Sequence, residues 1–348
     1  MKKLYDISWQ VSEPEYRVDS ALSYSVLAKF AREGFNKLDN LFDKIDTPSL
    51  TFGSAVDAII TGGQEEFDKT FMVADFPPIT DSVLKVVKVA FDRFSIQYRQ
   101  LNDVPDDKLI SLSEELSYQL NWKPETRAKV IKEQGSEYYS LMYAAGDRKI
   151  INIATKMQVD DAVTALKHSA STEFFFAENN PFNERYIREY QLKFKATFNN
   201  VNYRCMADLI ITDHTNKIVY PVDLKTSSHT EWDFFDSFAQ WRYDIQSRLY
   251  WRIIRANMDK DEVFKDYKLD NYTFIVVNKN TLTPLVWKFE DTQKTGILTY
   301  GKRNQIEFED PFDLGRDLSN YLSSRPNVPS GINETGNNDI VKWLNTKN

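Results

Sequence analysis

The sequence predicts an α/β fold in which a mainly helical N-terminal region precedes a sheet-bearing core, and three observations carry that prediction. Apolar residues recur at helical spacing through most of residues 1–180. From about residue 181, three consecutive stretches alternate with period two. A strongly amphipathic helix and two further strand-like stretches then take the core to about residue 322. The remainder, 323–348, is rich in Pro, Gly and Asn and ends on Ile340, Val341 and Trp343, so it reads as a mobile tail with a short terminal helix.

Taken in order, the serines at 20, 23 and 25 open a helix over residues 20–42, with Leu27, Phe30 and Phe35 at packing spacing. Gly53 and Ser54 read as the start of the next helix and Gly62-Gly63 as its end, with Ala55, Ala58 and Ile59 on its buried side. Residues 82–179 read as a helical layer broken by turns near 102–107, 121–124 and 146–149. The stretches "REYQLKFKATFNN", "VNYRCMADLIITD" and "KIVYPVDLKTSS" read as three antiparallel strands joined by short polar turns. "FAQWRYDIQSRLYWRIIRANM" is the amphipathic helix, "NYTFIVVNK" and "PLVWKFED" are strands, and helices are expected beyond them.

The composition excludes several functions. A formal charge of −7 argues against a protein that coats nucleic acid electrostatically, although it leaves room for a local basic groove. One cysteine, Cys205, can form neither an internal disulfide nor a four-cysteine zinc or iron–sulfur site, which fits a reducing compartment. The opening "MKKLYDISWQVSEPEY" has no apolar run behind its lysines, and no window is long enough to cross a bilayer, so the expected location is cytoplasmic, with no membrane partner. His168, His214 and His229, the only histidines, leave no histidine-based zinc or nuclease motif.

The chemistry gathers around "YPVDLKTSS". On a strand, Asp223 and Lys225 project from one face while Leu224 points to the other. The acid-x-lysine trio alone says little, since it recurs at Asp106-Asp107-Lys108, Asp147-Arg148-Lys149 and Asp266-Tyr267-Lys268. Only the trio at Asp223 ends an apolar, β-branched run. Asp208 lies inside the preceding apolar strand, where an unpartnered carboxylate would be costly. Two readings stay open: a hard divalent cation held by Asp208, Asp223 and the carbonyl of Leu224, or a buried salt bridge of Asp208 with Arg204 or Lys225. Gln246 and Tyr250, spaced i, i+4, share a face of the following helix. The same pair at Gln134 and Tyr138 shows that spacing alone is weak, so chain order is the stronger signal: Glu189, then Asp208, then Asp223-x-Lys225, then Gln246 and Tyr250.

That ordered set resembles the PD-(D/E)XK nuclease superfamily, in particular its RecB-like exonuclease branch with a glutamine–tyrosine helix motif. "MADLIITDHTNKIVYPVDLKTSS" followed by "FAQWRYDIQSRLYW" is similar to the exonuclease VIII (RecE) group of phages and prophages, relatives of lambda exonuclease. "LSYSVLAKFAREGF" and "FGSAVDAIITGGQEEFDKTF" are similar to the helical segments that precede the core in that group. The likeness touches residues 20–75 and 185–290. It implies a restriction-endonuclease-like core, a central mixed sheet flanked by helices, after a helical N-terminal lobe. Domain bounds of 1–180, 181–322 and 323–348 follow, with the helix at 50–62 contributing to the site.

The resemblance further implies that Asp208, Asp223 and the Leu224 carbonyl bind Mg²⁺ or Mn²⁺. Lys225 would stabilise charge on the phosphate and position or activate the attacking water. Glu189 would stand beside the metals, and Gln246 and Tyr250 would orient the DNA end or the water. Where many RecB-like nucleases place a histidine, this chain has Asp57, either a further ligand or an exposed carboxylate favoured near a helix N-terminus. Arg204 and Arg242, with Lys193, Lys195, Thr226 and Ser227, are the expected phosphate contacts. The implied activity is 5′ to 3′ digestion of linear duplex DNA, feeding an annealing or recombination protein, with a homo-oligomer left open. The alternatives are an endonuclease on the same core, or a catalytically silent DNA-binding or assembly module.

Overall fold

The computed structural model describes residues 1–35, 48–227, 230, 233–302 and 305–324. The helix expected over 20–42 ends at Glu33, where Gly34 caps it with a φ of 66°; residues 36–42 of that expectation, and the tail from 325 onward, lie outside the described residues. Two compact units are present: Met1–Ile45 with Thr164–Asn348, and Asp46–Val163. The chain therefore divides elsewhere than at 180, because the first residues belong to the sheet. Leu22 bridges to Tyr203, and the backbone N–H of Trp9 donates to the Lys193 carbonyl.

In the sheet-bearing unit, α1 (Glu13–Val18) is opened by a capping box in which Ser12 and Glu15 exchange hydrogen bonds, and α2 (Tyr24–Glu33) follows. The other unit holds α3 (Pro48–Thr70), β1 (Phe71–Ala74), α4 (Asp81–Phe94), α5 (Asp106–Glu115), α6 (Pro124–Ala145) and β2 (Lys149–Asn152), and α7 (Ile153–His168) spans the division. Its core joins Val83, Val87 and Ala90 of α4 to Leu109 and Leu112 of α5 and Ala128 and Ile131 of α6. Gly135 sits where α6 meets Val87 so closely that no Cβ would fit. Helix α3 starts before Gly53, which is interior. The helix breaks at Gly63, whose φ of 71° favours glycine, and resumes to Thr70. Strands β1 and β2 pair in parallel within the region expected to be mainly helical.

After α8 (Glu173–Phe176) come β3 (Tyr186–Phe198), β4 (Val201–Asp213) and β5 (Ile218–Ser227), consecutive and antiparallel as expected. Helices α9 (Phe234–Trp241) and α10 (Tyr243–Met258) carry the chain back, past β6 (Lys268–Leu269), to β7 (Thr273–Asn278), which lies parallel to β5. Strand β8 (Leu285–Lys288) closes the order β3-β4-β5-β7-β8. An antiparallel pair, β9 (Leu298–Tyr300) and β10 (Ile306–Phe308), then precedes α11 (Pro311–Ser324).

This is a mixed sheet between helices. On one face, α10 lays Ile245, Leu249 and Ile253 over Leu192, Phe194, Cys205 and Ala207, with α2 and α11 beside it. On the other, Arg188 of β3 donates to the Phe174 carbonyl of α8. Ala207 and Ile210 both join the α10-side core although simple alternation would put them on opposite faces. The interruption lies beside them in β3, where Gln191, opposite Asp208 in register, has φ 53°. Pro221 falls on β5 between the residues that pair with β6 and those that pair with β7, so its missing N–H leaves both ladders intact. Among the described residues no helix is long and apolar enough to cross a membrane.

Candidate active site

Strands β4 and β5 pair from Asp213↔Ile218 as far as Leu209↔Val222. The next pair in the same register would be Asp208 opposite Asp223, and there the ladder stops. Strand β5 continues beside β7 to Ser227↔Asn278. Its outer half therefore keeps one neighbour and loses the other. Asp208 closes part of the gap, its Oδ2 accepting the Leu224 backbone N–H at 3.0 Å.

Asp223 is almost fully buried, with a side chain 1% exposed. Its Oδ1 accepts from Gln246 Nε2, and its Oδ2 lies 2.6 Å from Lys225 Nζ. The two face each other as a buried ion pair. The Oε1 of Gln246 is buried without a donor. Burial works against the Lys225 charge. Asp223, with Tyr243 and Asp208, outweighs it and holds the ammonium above its ordinary range. Lys225 can thus offer positive charge at this place.

Tyr250 stands one turn beyond Gln246, its ring 6.1 Å from that of Tyr272. Burial, reinforced by Tyr16, Cys205, Asp223 and Asp208, keeps its phenol neutral well beyond physiological pH. The sequence had not singled out Tyr272, whose hydroxyl is buried without a partner and which feels Asp223 and Asp208. It had also missed Tyr243, whose ring lies 4.7 Å from Lys225 Nζ. The available signal was its position three residues before Gln246 on the same helix.

Other expected members have different partners. Glu189 accepts the backbone N–H groups of Leu4 and Tyr5, both at 2.9 Å, and so caps the N-terminal turn. Arg204 donates to the Asp19 carbonyl and stacks on Tyr16. Lys193 reaches the Val11 carbonyl, and Lys195 pairs with Asp19. Arg242, in a left-handed conformation between α9 and α10, grips Asp244 with two hydrogen bonds and Glu309 with a third contact. These cations fasten the unit together. Thr226 and Ser227 are half-buried on β5 beside β7, and alternation places Ser227 on the face of Asp223 and Lys225. Asp57 is half-buried on α3 of the other unit.

Among the described residues no three or more His, Cys, Asp or Glu side chains cluster closely enough to hold a metal ion by themselves. The site offers two carboxylates and neighbouring carbonyl and amide oxygens. The donor types suit a hard divalent cation that retains several waters. Gln246 Oε1, buried without a donor, fits the same ion. No family model matches the chain, and no curated protein does. Among solved structures, a protein from Eubacterium rectale described as a "putative exonuclease" aligns over 81% of this chain and 79% of its own. The identity is 13% and the TM-score 0.40, and nothing about this chain's chemistry follows from so distant a likeness.

Proposed function

We propose that the chain is a divalent-metal-dependent deoxyribonuclease that hydrolyses phosphodiester bonds, working as a 5′ to 3′ exonuclease on linear duplex DNA. One observation supports it above the others: Asp208, Asp223, Lys225 and Gln246 meet where β4 and β5 part, from three separate elements. Asp208, Asp223 and the Leu224 carbonyl would hold Mg²⁺ or Mn²⁺. Such an ion supplies positive charge to a phosphoryl oxygen and makes nearby water more acidic. Lys225 offers its ammonium to the charge that grows on the phosphate. Gln246 fixes Asp223, and Tyr250 stands as a neutral donor beside them. An annealing or recombination protein as recipient of the product strand, and a homo-oligomeric assembly, belong to this reading, as does a ligand role for Asp57.

The alternatives are an endonuclease on the same core and a catalytically silent DNA-binding or assembly module, which the presence of Asp208, Asp223 and Lys225 together speaks against. Digestion of end-labelled linear duplex and covalently closed circles, with Mg²⁺ or EDTA, separates the possibilities. The proposed enzyme degrades the linear form only with metal, and Asp223→Asn or Lys225→Ala lowers the rate at least about a hundredfold. Cutting of closed circles would identify an endonuclease. Binding without hydrolysis would leave the silent module.

A further inference from the structure

The ammonium of Lys225 sits on a flexible four-carbon stem, so its usefulness at a phosphate depends on what else holds it. One contact is the ion pair with Asp223, at 2.6 Å. A second contact is the face of Tyr243, with its centroid 4.7 Å from Nζ. That ring is itself fixed. Phe274 stacks on it at 5.7 Å and 27°, Phe234 at 6.2 Å and 24°, and Tyr24 leans on it at 6.2 Å. Helix α10 and strand β5 are thereby joined through a cation on an aromatic face. We propose that Tyr243 is a positioning residue for Lys225, its ring setting where the ammonium stands. An aromatic face attracts a cation without accepting a directed hydrogen bond, so the N–H groups stay available for a phosphoryl oxygen. The carboxylate alone would draw the amine toward itself. The ring supplies a restraint that persists when Asp223 turns its charge to another cation.

The proposal rests on the nuclease reading for its role but not for its geometry, and the experiment keeps the two apart. Steady-state digestion of linear duplex with Mg²⁺ is compared for wild type, Tyr243→Phe, Tyr243→Leu, Lys225→Ala and the double variant Lys225→Ala/Tyr243→Leu. The Lys225 Hε resonances are followed by NMR in metal-free protein. The ring should shift the Hε signals upfield in wild type and Tyr243→Phe, and that shift should vanish in Tyr243→Leu. Tyr243→Phe should keep kcat within about twofold, whereas Tyr243→Leu should lower kcat about tenfold with KM within about twofold. The double variant should be no slower than Lys225→Ala, because the ring acts only through the lysine. Unchanged Hε shifts and kcat in Tyr243→Leu, or losses that multiply in the double variant, would overturn the proposal. If Tyr243→Leu does not fold, Tyr243→Met, which fills the space without an aromatic face, is read in the same way. A wild type that fails to hydrolyse DNA counts against the nuclease reading, while the Hε shifts still decide whether the ring places the lysine.

Discussion

Gln246 donates its side-chain amide to Asp223, so a residue on α10 fixes a buried carboxylate at the outer end of β5. Replacing Gln246 by Leu leaves Asp223 Oδ1 without its donor inside the protein. The expected cost is about 1–3 kcal/mol in urea unfolding, with at least a tenfold fall in hydrolysis. A variant that loses stability but keeps full activity would show that Gln246 serves packing alone.

Glu189 ties the N-terminal turn to β3. Its two oxygens receive the N–H groups of Leu4 and Tyr5, so Glu189→Ala should cost about 1–2 kcal/mol while activity stays within about threefold. Chemical denaturation and initial rates measured on one preparation check both halves.

Mg²⁺, Mn²⁺ or Ca²⁺ should raise the melting temperature of the native protein in a concentration-dependent way, because an ion bound to the folded state alone stabilises it by mass action. Asp208→Asn and Asp223→Asn should each remove most of that rise. EDTA should return the wild type to its metal-free melting temperature.

Asp310 anchors the start of α11. It receives N–H groups from Phe312 and Gly296 and meets both Arg248 and Arg252. Burial alone would raise its pKa, but these donors and cations outweigh it and hold the carboxyl below its ordinary range. A depressed carboxyl contributes stability above its unfolded-state pKa, and the contribution is lost as pH falls through the folded-state value. Urea midpoints from pH 7 down to about 3 should therefore fall more steeply for wild type than for Asp310→Asn. Parallel curves would show that Asp310 is no source of the acid sensitivity.

The residues that meet at the candidate site were legible because each obeys a local rule. Asp223 and Lys225 share a strand face, Asp208 interrupts an apolar strand, and Gln246 and Tyr250 keep helical spacing. The partners of the cations are hidden from the sequence for the opposite reason. Nothing local to Lys193, Lys195 or Arg204 reveals that residues 11–19 arrive from more than 170 positions away to take their charges. Four-residue strands such as β1 and β2 are too short to display alternation, and β9 and β10, with three residues each, are shorter still. Tyr243 stayed hidden because an aromatic on an amphipathic helix ordinarily signals core.

Pro221, harmless where it stands, also sets the two possible registers of β5 apart in energy. Were β5 to dock against β7 one residue out of step, the imide nitrogen would enter a ladder that calls for donors, and the faces of Asp223 and Leu224 would exchange. The misaligned strand would forfeit a hydrogen bond and bury leucine where the carboxylate belongs, so the observed register is the more stable of the two.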